Sequence, residues 1–464
     1  MLVAIGALLR LYYLRQPMRY DESVTYLYFA ARSWTTVVTS YTYPNNHVFH
    51  TLLVKACMAV LGDDPWVIRL PAFVAGVAMI PLTFAVGRRL FGPPAAYVGT
   101  GLVAASGALS LYSTNARGYT LICAATLILA SLLLELRERA STKLWVVTVV
   151  VTALGMWTVP VMLFPAGGLA FWFVLSALRD DTSEPRADLQ RMGIVVVSTA
   201  ILTLVLYAPI ITRDGLDSLA GNSFVRASPW RVFFLQLSAS IAQVFASWTL
   251  GWPSLITVIL GVCAAVGLVT ERRATGMRVS IAGSMYVWCA LALLITHRAP
   301  FPRVWLFLVA PAALLAAHGS IQLLSRASVV RERVVPRGGV MGVVLALALA
   351  SVVVLSHGVT ASRDTGTLRD ARQIAQSFAT RLRPGDRVIA PLPSNGPLAY
   401  YFVRESVDTS YLSSVPSASS TVYLIVNTDE GFSLNTRLGD PLLQRFQKGE
   451  LLARYPSAEI YRLY

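Results

Sequence analysis

Residues 19–29 read RYDESVTYLYF, and only Arg15 to Met18 separate them from the apolar start MLVAIGALLRLYYL at 1–14. Two adjacent carboxylates, Asp21 and Glu22, thus stand where the first hydrophobic segment ends. Val24, Leu27, Tyr28 and Ala31 follow the i, i+3, i+4, i+7 spacing, which predicts an amphipathic helix opened by those acids. In a soluble protein acids in a first turn complement the helix dipole, for up to about 1 kcal/mol. What the acids do here depends on the rest of the chain.

That chain has 464 residues, of which 55% are hydrophobic and only 14% charged, with mean hydropathy +0.59. Soluble domains carry about 25% charged residues, so the composition is that of a membrane protein. The net charge of +15 does not argue for nucleic acid. The basic residues form short clusters between apolar runs rather than one stripe, and no nucleic-acid-binding motif occurs. Cys57, Cys123, Cys263 and Cys289 lie far apart without a CxxC pair and read as small buried hydrophobes.

Apolar runs of spanning character lie near 1–15, 66–87, 94–112, 119–136, 144–160, 161–178, 193–212, 251–270, 279–296, 303–323 and 338–357. The first is short. Either the chain begins further upstream, or Tyr12, Tyr13 and Leu14 complete the helix with Arg10 turned inward. Pro160 and Pro165 hinge the pair at 144–178, giving two short spans or one broken element. Basic clusters fall at Arg88-Arg89, at Arg137, Arg139 and Lys143, and at Arg179, Arg186 and Arg191. Others fall at Arg272, Arg273 and Arg278, and at Arg326, Arg331, Arg333 and Arg337. With alternating spans all share one side, which the positive-inside rule makes cytoplasmic. The opposite side then carries residues 16–65, the loop STNARG, the segment 213–250, the loop HRAPFPR and everything after about 358. Phe49, Leu52, Leu53, Ala56 and Val60 mark a second amphipathic helix in the first outer loop.

Beyond 358 the pattern changes. RDARQIAQSFATRL predicts an amphipathic helix, PGDRVIAPLP a turn and strand, TVYLIVN a buried strand and AEIYRLY a closing strand. The expectation is a membrane domain over 1–357 and a small extracytoplasmic α/β domain over 358–464. Low-complexity sequence is confined to SSVPSASS at 413–420, and neither a GxGxxG nor a P-loop is present.

Ionisable groups at the membrane boundary are costly and often functional. The helical period puts Asp21 and Val24 near one face and Glu22 off it, so only one acid is expected to face a cavity. His47 and His50, with Asn45 and Asn46, form a second polar cluster, and Asn45-Asn46 also suits a turn and helix cap. Imidazoles with Asp21 or Glu22 would make a normal donor set for a divalent metal. Cations on the outer side are Arg19, Lys55, Arg117, His297, Arg298 and Arg303, any of which could equally snorkel to lipid headgroups. Arg69 reads as structural.

The chain resembles the GT-C superfamily of membrane glycosyltransferases, specifically bacterial relatives of protein O-mannosyltransferases and aminoarabinose transferases (glycosyltransferase family 39/83-like). The resembling residues are RYDE at 19–22, YPNNHVFHTLLVKA at 43–56, LGDDPWVIRLPAFVAGV at 61–77, GRRLFG at 87–92 and NARGY at 115–119. The likeness is close over roughly the first 140 residues and topological beyond them. It implies an α-helical polytopic membrane protein of GT-C fold, with about eleven transmembrane helices and two interfacial helices in the first outer loop. The implied activity is inverting transfer of a hexosyl or pentosyl group from a polyprenyl-phosphate donor. The acceptor would be a glycan, lipid or protein outside the bacterial inner membrane. Asp21 would be the base, with Glu22 its helper through hydrogen bonding or metal. Arg117, Arg303, Arg298, Lys55 and Arg19 are candidates for the donor phosphate, and Asn46, His47, Tyr119 and His297 for substrate. A divalent metal (Mg, Mn or Zn) at Glu22, His47 and His50 is a candidate cofactor, since some relatives use one and others do not. Aminoarabinose-transferring relatives carry Glu-Lys where this chain has Asn-His, which weakens transfer of their specificity. A lipid-linked sugar transporter or flippase is the alternative. Such a protein should carry internal repeats and mid-depth charge, neither of which is evident. An inactive scaffold is the third reading, against which intact RYDE, NNH and NARGY argue.

Overall fold

The computed structural model describes residues 1–179, 185–220, 227–299, 301–325, 338–412, 421–440, 443 and 446–464. The basic cluster Arg326 to Arg337 and the SSVPSASS stretch lie outside these. Among the described residues seven helices are long and apolar enough to cross a bilayer: Leu70–Ala104, Tyr119–Glu138, Pro160–Arg179, Pro185–Asp214, Ser254–Thr275, Pro302–Leu324 and Gly338–Leu355. Leu2–Leu14, Thr142–Thr158 and Ile281–Thr296 are shorter apolar helices. A chain with this many such helices is a multi-pass membrane protein.

The expected runs at 66–87 and 94–112 form one helical course, bent where Gly92 adopts φ 79° and ψ 172°. Glycine accepts that backbone, and Pro93 and Pro94 behind it supply no N–H to the helix ladder. The course breaks again after Ala104, where Ser106 caps the short helix Gly107–Ser113. Arg10 accounts for how that break survives in an apolar interior. It is fully buried and donates to the carbonyls of Val103 and Ala104 and to the Ser113 hydroxyl. At Pro160 the chain forms two helices: Val159 is extended and a 3₁₀ turn, Pro160–Met162, separates them.

Opposite ends of the bundle differ chemically. At the Glu138 end of Tyr119–Glu138, Arg89 pairs with Glu138 at 2.7 Å and Arg137 with Asp188 at 3.6 Å. Arg278 donates to the carbonyl of Arg179, the last residue of Pro160–Arg179. Twenty residues of helix, about 30 Å, separate this basic end from Tyr119, where the loop after the first helix and the C-terminal domain meet.

In that loop the RYDE helix runs Tyr20–Thr25, widens into a π turn over Tyr26–Ala30, and is followed by Trp34–Thr39 and Val48–Leu61. The first of these is not a surface-lying amphipathic helix. Asp21 to Tyr26 are all buried, because the C-terminal domain covers the side that period counting assigns to water. Met18, Tyr26, Val54 and Ile68 share one apolar cluster with Leu368, Ile374 and Tyr400.

The C-terminal sheet comprises β1 (Arg387–Ile389), β2 (Val422–Asn427), β3 (Gly449–Arg454) and β4 (Ala458–Leu463), in the order β1-β2-β4-β3. β1 and β2 are parallel, with Val388 opposite Tyr423; β4 is antiparallel to both of its neighbours. Helices Ala371–Arg381 and Asn395–Arg404 cover the sheet, the Phe378 ring lying 5.4 Å from that of Tyr423. β2 is buried throughout, as its continuous apolar sequence demands. A 19-residue helix, Trp230–Trp248, lies within the segment 213–250.

Candidate active site

Glu22 and Asp21 diverge because successive helical residues point about 100° apart. One Glu22 oxygen accepts from the Arg19 N–H at 2.8 Å and from Arg69 Nη2, while the other accepts from Arg69 Nε at 2.9 Å and the Ala116 N–H at 3.0 Å. Arg69 also donates to the carbonyls of Leu14, Gln16 and Pro17. Both residues are fully buried. Both Glu22 oxygens are thus engaged by structural donors, with no acceptor position left for the metal or proton-transfer part expected of it.

Asp21 stands differently. Its Oδ1 accepts from Asn45 Nδ2 at 3.2 Å, whereas Oδ2 is buried without a hydrogen-bond partner among the described residues. Arg303 Nη2 lies 3.8 Å from that oxygen, beyond hydrogen-bond length.

The NARGY turn holds the loop residue by residue. Asn115 donates to Thr365 Oγ1 at 3.1 Å, the Ala116 N–H to Glu22, and Arg117 Nη1 to the Asn45 carbonyl at 3.1 Å. The Gly118 N–H donates to His47 Nδ1 at 2.8 Å, and the Tyr119 ring meets His47 edge-on at 5.1 Å. Glycine is required at 118 by space. A Cβ there would stand 2.3 Å from Thr158 Cγ2 and 3.1 Å from His47 Nδ1.

The candidate cations separate into two groups. Arg303 and Arg117 sit at the cluster, each with a buried Nε that has no hydrogen-bond partner. Arg303 keeps 14% of its side chain exposed, and Arg117 is almost wholly covered, at 4%. The others are engaged or placed elsewhere. Arg19 is buried and donates to the carbonyls of Val359 and Ser362. Lys55 caps the π turn through the carbonyls of Ala30 and Arg32 and lies over the Trp34 ring. His297 packs on Trp230, and Arg298 is exposed. Asn46, an expected substrate ligand, donates instead to the carbonyls of Val37 and Ser40 and closes the loop on itself.

His47 and His50 are both buried. Burial first, then the charge of Arg117, pushes His50 down to about 3, with neither ring nitrogen hydrogen-bonded. Burial followed by the charges of Arg117, His50 and Arg303 holds His47 well below its ordinary value. Because His47 Nδ1 accepts a hydrogen bond from the Gly118 N–H, its neutral ring carries hydrogen on Nε2. The expected metal set does not fit this arrangement: Glu22 has no free oxygen and His47 Nδ1 is already used. Among the described residues no group of three or more His, Cys, Asp or Glu could hold a metal ion.

Two site groups on one stretch escaped the sequence reading. Asp364 accepts from Arg303 Nη1 at 3.3 Å and from the Tyr112 hydroxyl. The Thr365 carbonyl accepts from the Asp21 N–H at 3.3 Å. The signal available was a polar stretch, Ser362 to Thr367, immediately after the last long apolar run.

Whole-chain comparison places this architecture in the GT-C fold. ArnT from Cupriavidus metallidurans superposes with TM-score 0.62 at 15% identity, covering 99% of this chain and 97% of that one. Its structure bound to undecaprenyl phosphate gives TM-score 0.61 at 14% identity over the same shares. An oligosaccharyltransferase from Archaeoglobus fulgidus gives 0.56 at 12% identity, covering 99% of this chain and 74% of that one; it has also been solved in complex with Zn and sulfate. In sequence, residues 46–210 match the family described as dolichyl-phosphate-mannose-protein mannosyltransferase. No curated protein sequence matches the chain.

Proposed function

We propose that this protein is an inverting GT-C glycosyltransferase that moves a sugar from a polyprenyl-phosphate donor to an acceptor hydroxyl on the outer face of a bacterial cell membrane. The observation that carries the reading is the buried, unpartnered Oδ2 of Asp21 beside Arg303 in a fold shared with a structure bound to undecaprenyl phosphate. The basic residues at the far end of the bundle support an outward orientation for the site and the C-terminal domain.

In this scheme Asp21 Oδ2 takes the acceptor hydroxyl proton as that oxygen attacks the anomeric carbon. The new C–O bond forms on the face opposite the departing phosphate, so the anomeric configuration inverts. The bond to the phosphate breaks with its electron pair going to the polyprenyl phosphate, which gains one negative charge. Arg303 answers that charge, with Arg117 behind it. A phosphate leaves without protonation, so one carboxylate suffices where glycoside hydrolysis needs two. Neutral His47 offers an Nε2–H to a sugar hydroxyl. Residues 1–357 would form the catalytic domain and 358–464 its outer companion.

Purified protein should transfer sugar from at least one member of a panel of polyprenyl-phosphate sugars, giving inverted product, and Asp21→Asn should lower turnover by about 10²-fold or more. Near-full turnover by Asp21→Asn on the preferred donor would remove Asp21 as the base. Movement of the lipid-linked sugar across vesicles without transfer would favour a flippase.

A further inference from the structure

The strap Ser362–Thr367, which leads from the last long helix into the C-terminal sheet domain, lies against the RYDE helix. The Ser362 carbonyl accepts from Arg19, the Thr365 carbonyl from the Asp21 N–H, and the Gly366 carbonyl from the Tyr20 N–H at 3.1 Å. Gly366 reaches this position at φ 67°, where a Cβ would stand 2.8 Å from Tyr20 Cβ. Asp364 is the strap residue that enters the charge cluster. Arg303 Nη1 donates both to its carbonyl oxygen, at 3.1 Å, and to its Oδ1, at 3.3 Å. Its Oδ2 accepts from Tyr112.

This leaves Arg303 between two carboxylates, bonded to one and held away from the other. Its Nη2 is 3.8 Å from Asp21 Oδ2, about 1 Å longer than a charge-assisted hydrogen bond. Among the described residues nothing hydrogen-bonds that oxygen. A guanidinium released from Asp364 would move onto Asp21, because the attraction rises as the distance falls and the surroundings are largely dry.

We propose that Asp364 is a positioning residue that holds Arg303 off Asp21, so that the C-terminal segment completes the catalytic centre. The inference rests on the assignment of Asp21 as base. In that setting Asp364 keeps the base free of a tight ion pair with Arg303. It also gives the C-terminal domain a definite part: its docking sets the strap, and the strap sets Arg303.

The expected kinetics differ from those of a residue that merely supports the fold. Asp364→Ala deletes a negative charge from a site that takes an anionic donor, so donor KM should stay level or fall. kcat should drop by about 10- to 100-fold as Arg303 closes on the base. Asp364→Glu should recover most of kcat, and Tyr112→Phe, which cuts only one bond to Asp364, should show a smaller loss of the same kind. The decisive arm is the double variant: because Asp364 acts through Asp21, adding Asp364→Ala to Asp21→Asn should cost nothing further. The measurement is transfer of sugar from the preferred polyprenyl-phosphate donor by full-length protein in detergent, with monodispersity of each variant checked. Full kcat in Asp364→Ala beside an inactive Asp21→Asn overturns this inference alone. A raised donor KM, or a further multiplicative loss in the double variant, overturns it as well. Equal activity of wild type and Asp21→Asn overturns the assignment of the base and this inference together.

Discussion

Glu22 and Arg69 face each other as a closed pair, fully buried, with both carboxylate oxygens and the guanidinium fork committed to each other and to backbone groups of three neighbouring segments. Asp21, one residue earlier, keeps an oxygen without a partner. The dipeptide thus splits into a residue that builds the site and a residue left available within it. Glu22 gathers the end of the first helix, the start of the long bent helix and the NARGY turn around the loop that carries Asp21.

The pair predicts a stability defect rather than a catalytic one. Removing either partner leaves an uncompensated buried charge, which costs about 3–5 kcal/mol. Glu22→Ala and Arg69→Ala should therefore lower the thermal midpoint in detergent by a large and similar amount. The double variant should be less destabilised than the two losses combined. Asp21→Asn should melt close to wild type while losing activity. A Glu22→Ala protein as stable as wild type would show that the cage around it is dispensable.

A second prediction separates the cations. Arg303→Gln should lower kcat/KM for the donor by about 10²- to 10³-fold, as loss of a donor aimed at developing charge does elsewhere. Arg303→Lys should recover only part of this, because a point charge cannot keep both the Asp364 contacts and a bond to phosphate. Arg298→Gln, at an exposed position, should stay within about 2-fold of wild type, since surface charge changes are weak. Steady-state kinetics against donor concentration decides the matter. Equal losses at 298 and 303 would mean that the donor phosphate does not distinguish the two.

Helical runs and the position of the acids were legible in the sequence, because apolar length and period are local properties. Partner choice was not. Arg19 and Arg303 look equivalent on the page, yet one is sealed against Val359 and Ser362 and the other faces Asp21. Only contacts between residues more than 280 positions apart separate them. Asp364 carried no periodic signal, and its role arises because the C-terminal domain folds back over residues 18–30. The helix Asn395–Arg404 was hidden by its opening Asn-Gly-Pro, which reads as a turn. β3 was hidden by being half-exposed at the sheet edge, where its apolar pattern is weak.

The third prediction concerns Gly118. Its missing Cβ lets the turn approach Thr158, His47 and His50 at once. Gly118→Ala should force Thr158 and the His47 ring apart, costing about 1–3 kcal/mol of stability and lowering transfer through displacement of His47. Adding Thr158→Ser, which removes the Cγ2 that the new methyl would strike, should return part of both. No recovery in the double variant would locate the clash at the histidines instead.

The last prediction follows from the histidines. Burial and the Arg117 charge hold His50 at about 3, and burial with neighbouring charges holds His47 well below its ordinary value, while unfolded histidine titrates near 6.5. Below pH 6.5 the unfolded chain therefore binds protons that the folded chain refuses. The stability contributed by keeping these rings neutral is complete above pH 6.5 and is lost as the pH falls toward the folded values. Each such ring is worth about 1.4 kcal/mol per pH unit in that window. Thermal midpoints in detergent should thus decline from pH 7 to pH 5. His50→Leu should flatten the decline without destabilising the protein at pH 7, since neither ring nitrogen of His50 has a hydrogen bond to lose. An unchanged slope in His50→Leu would mean that the His50 ring takes up a proton in the folded protein, and that a nearby acceptor meets it there.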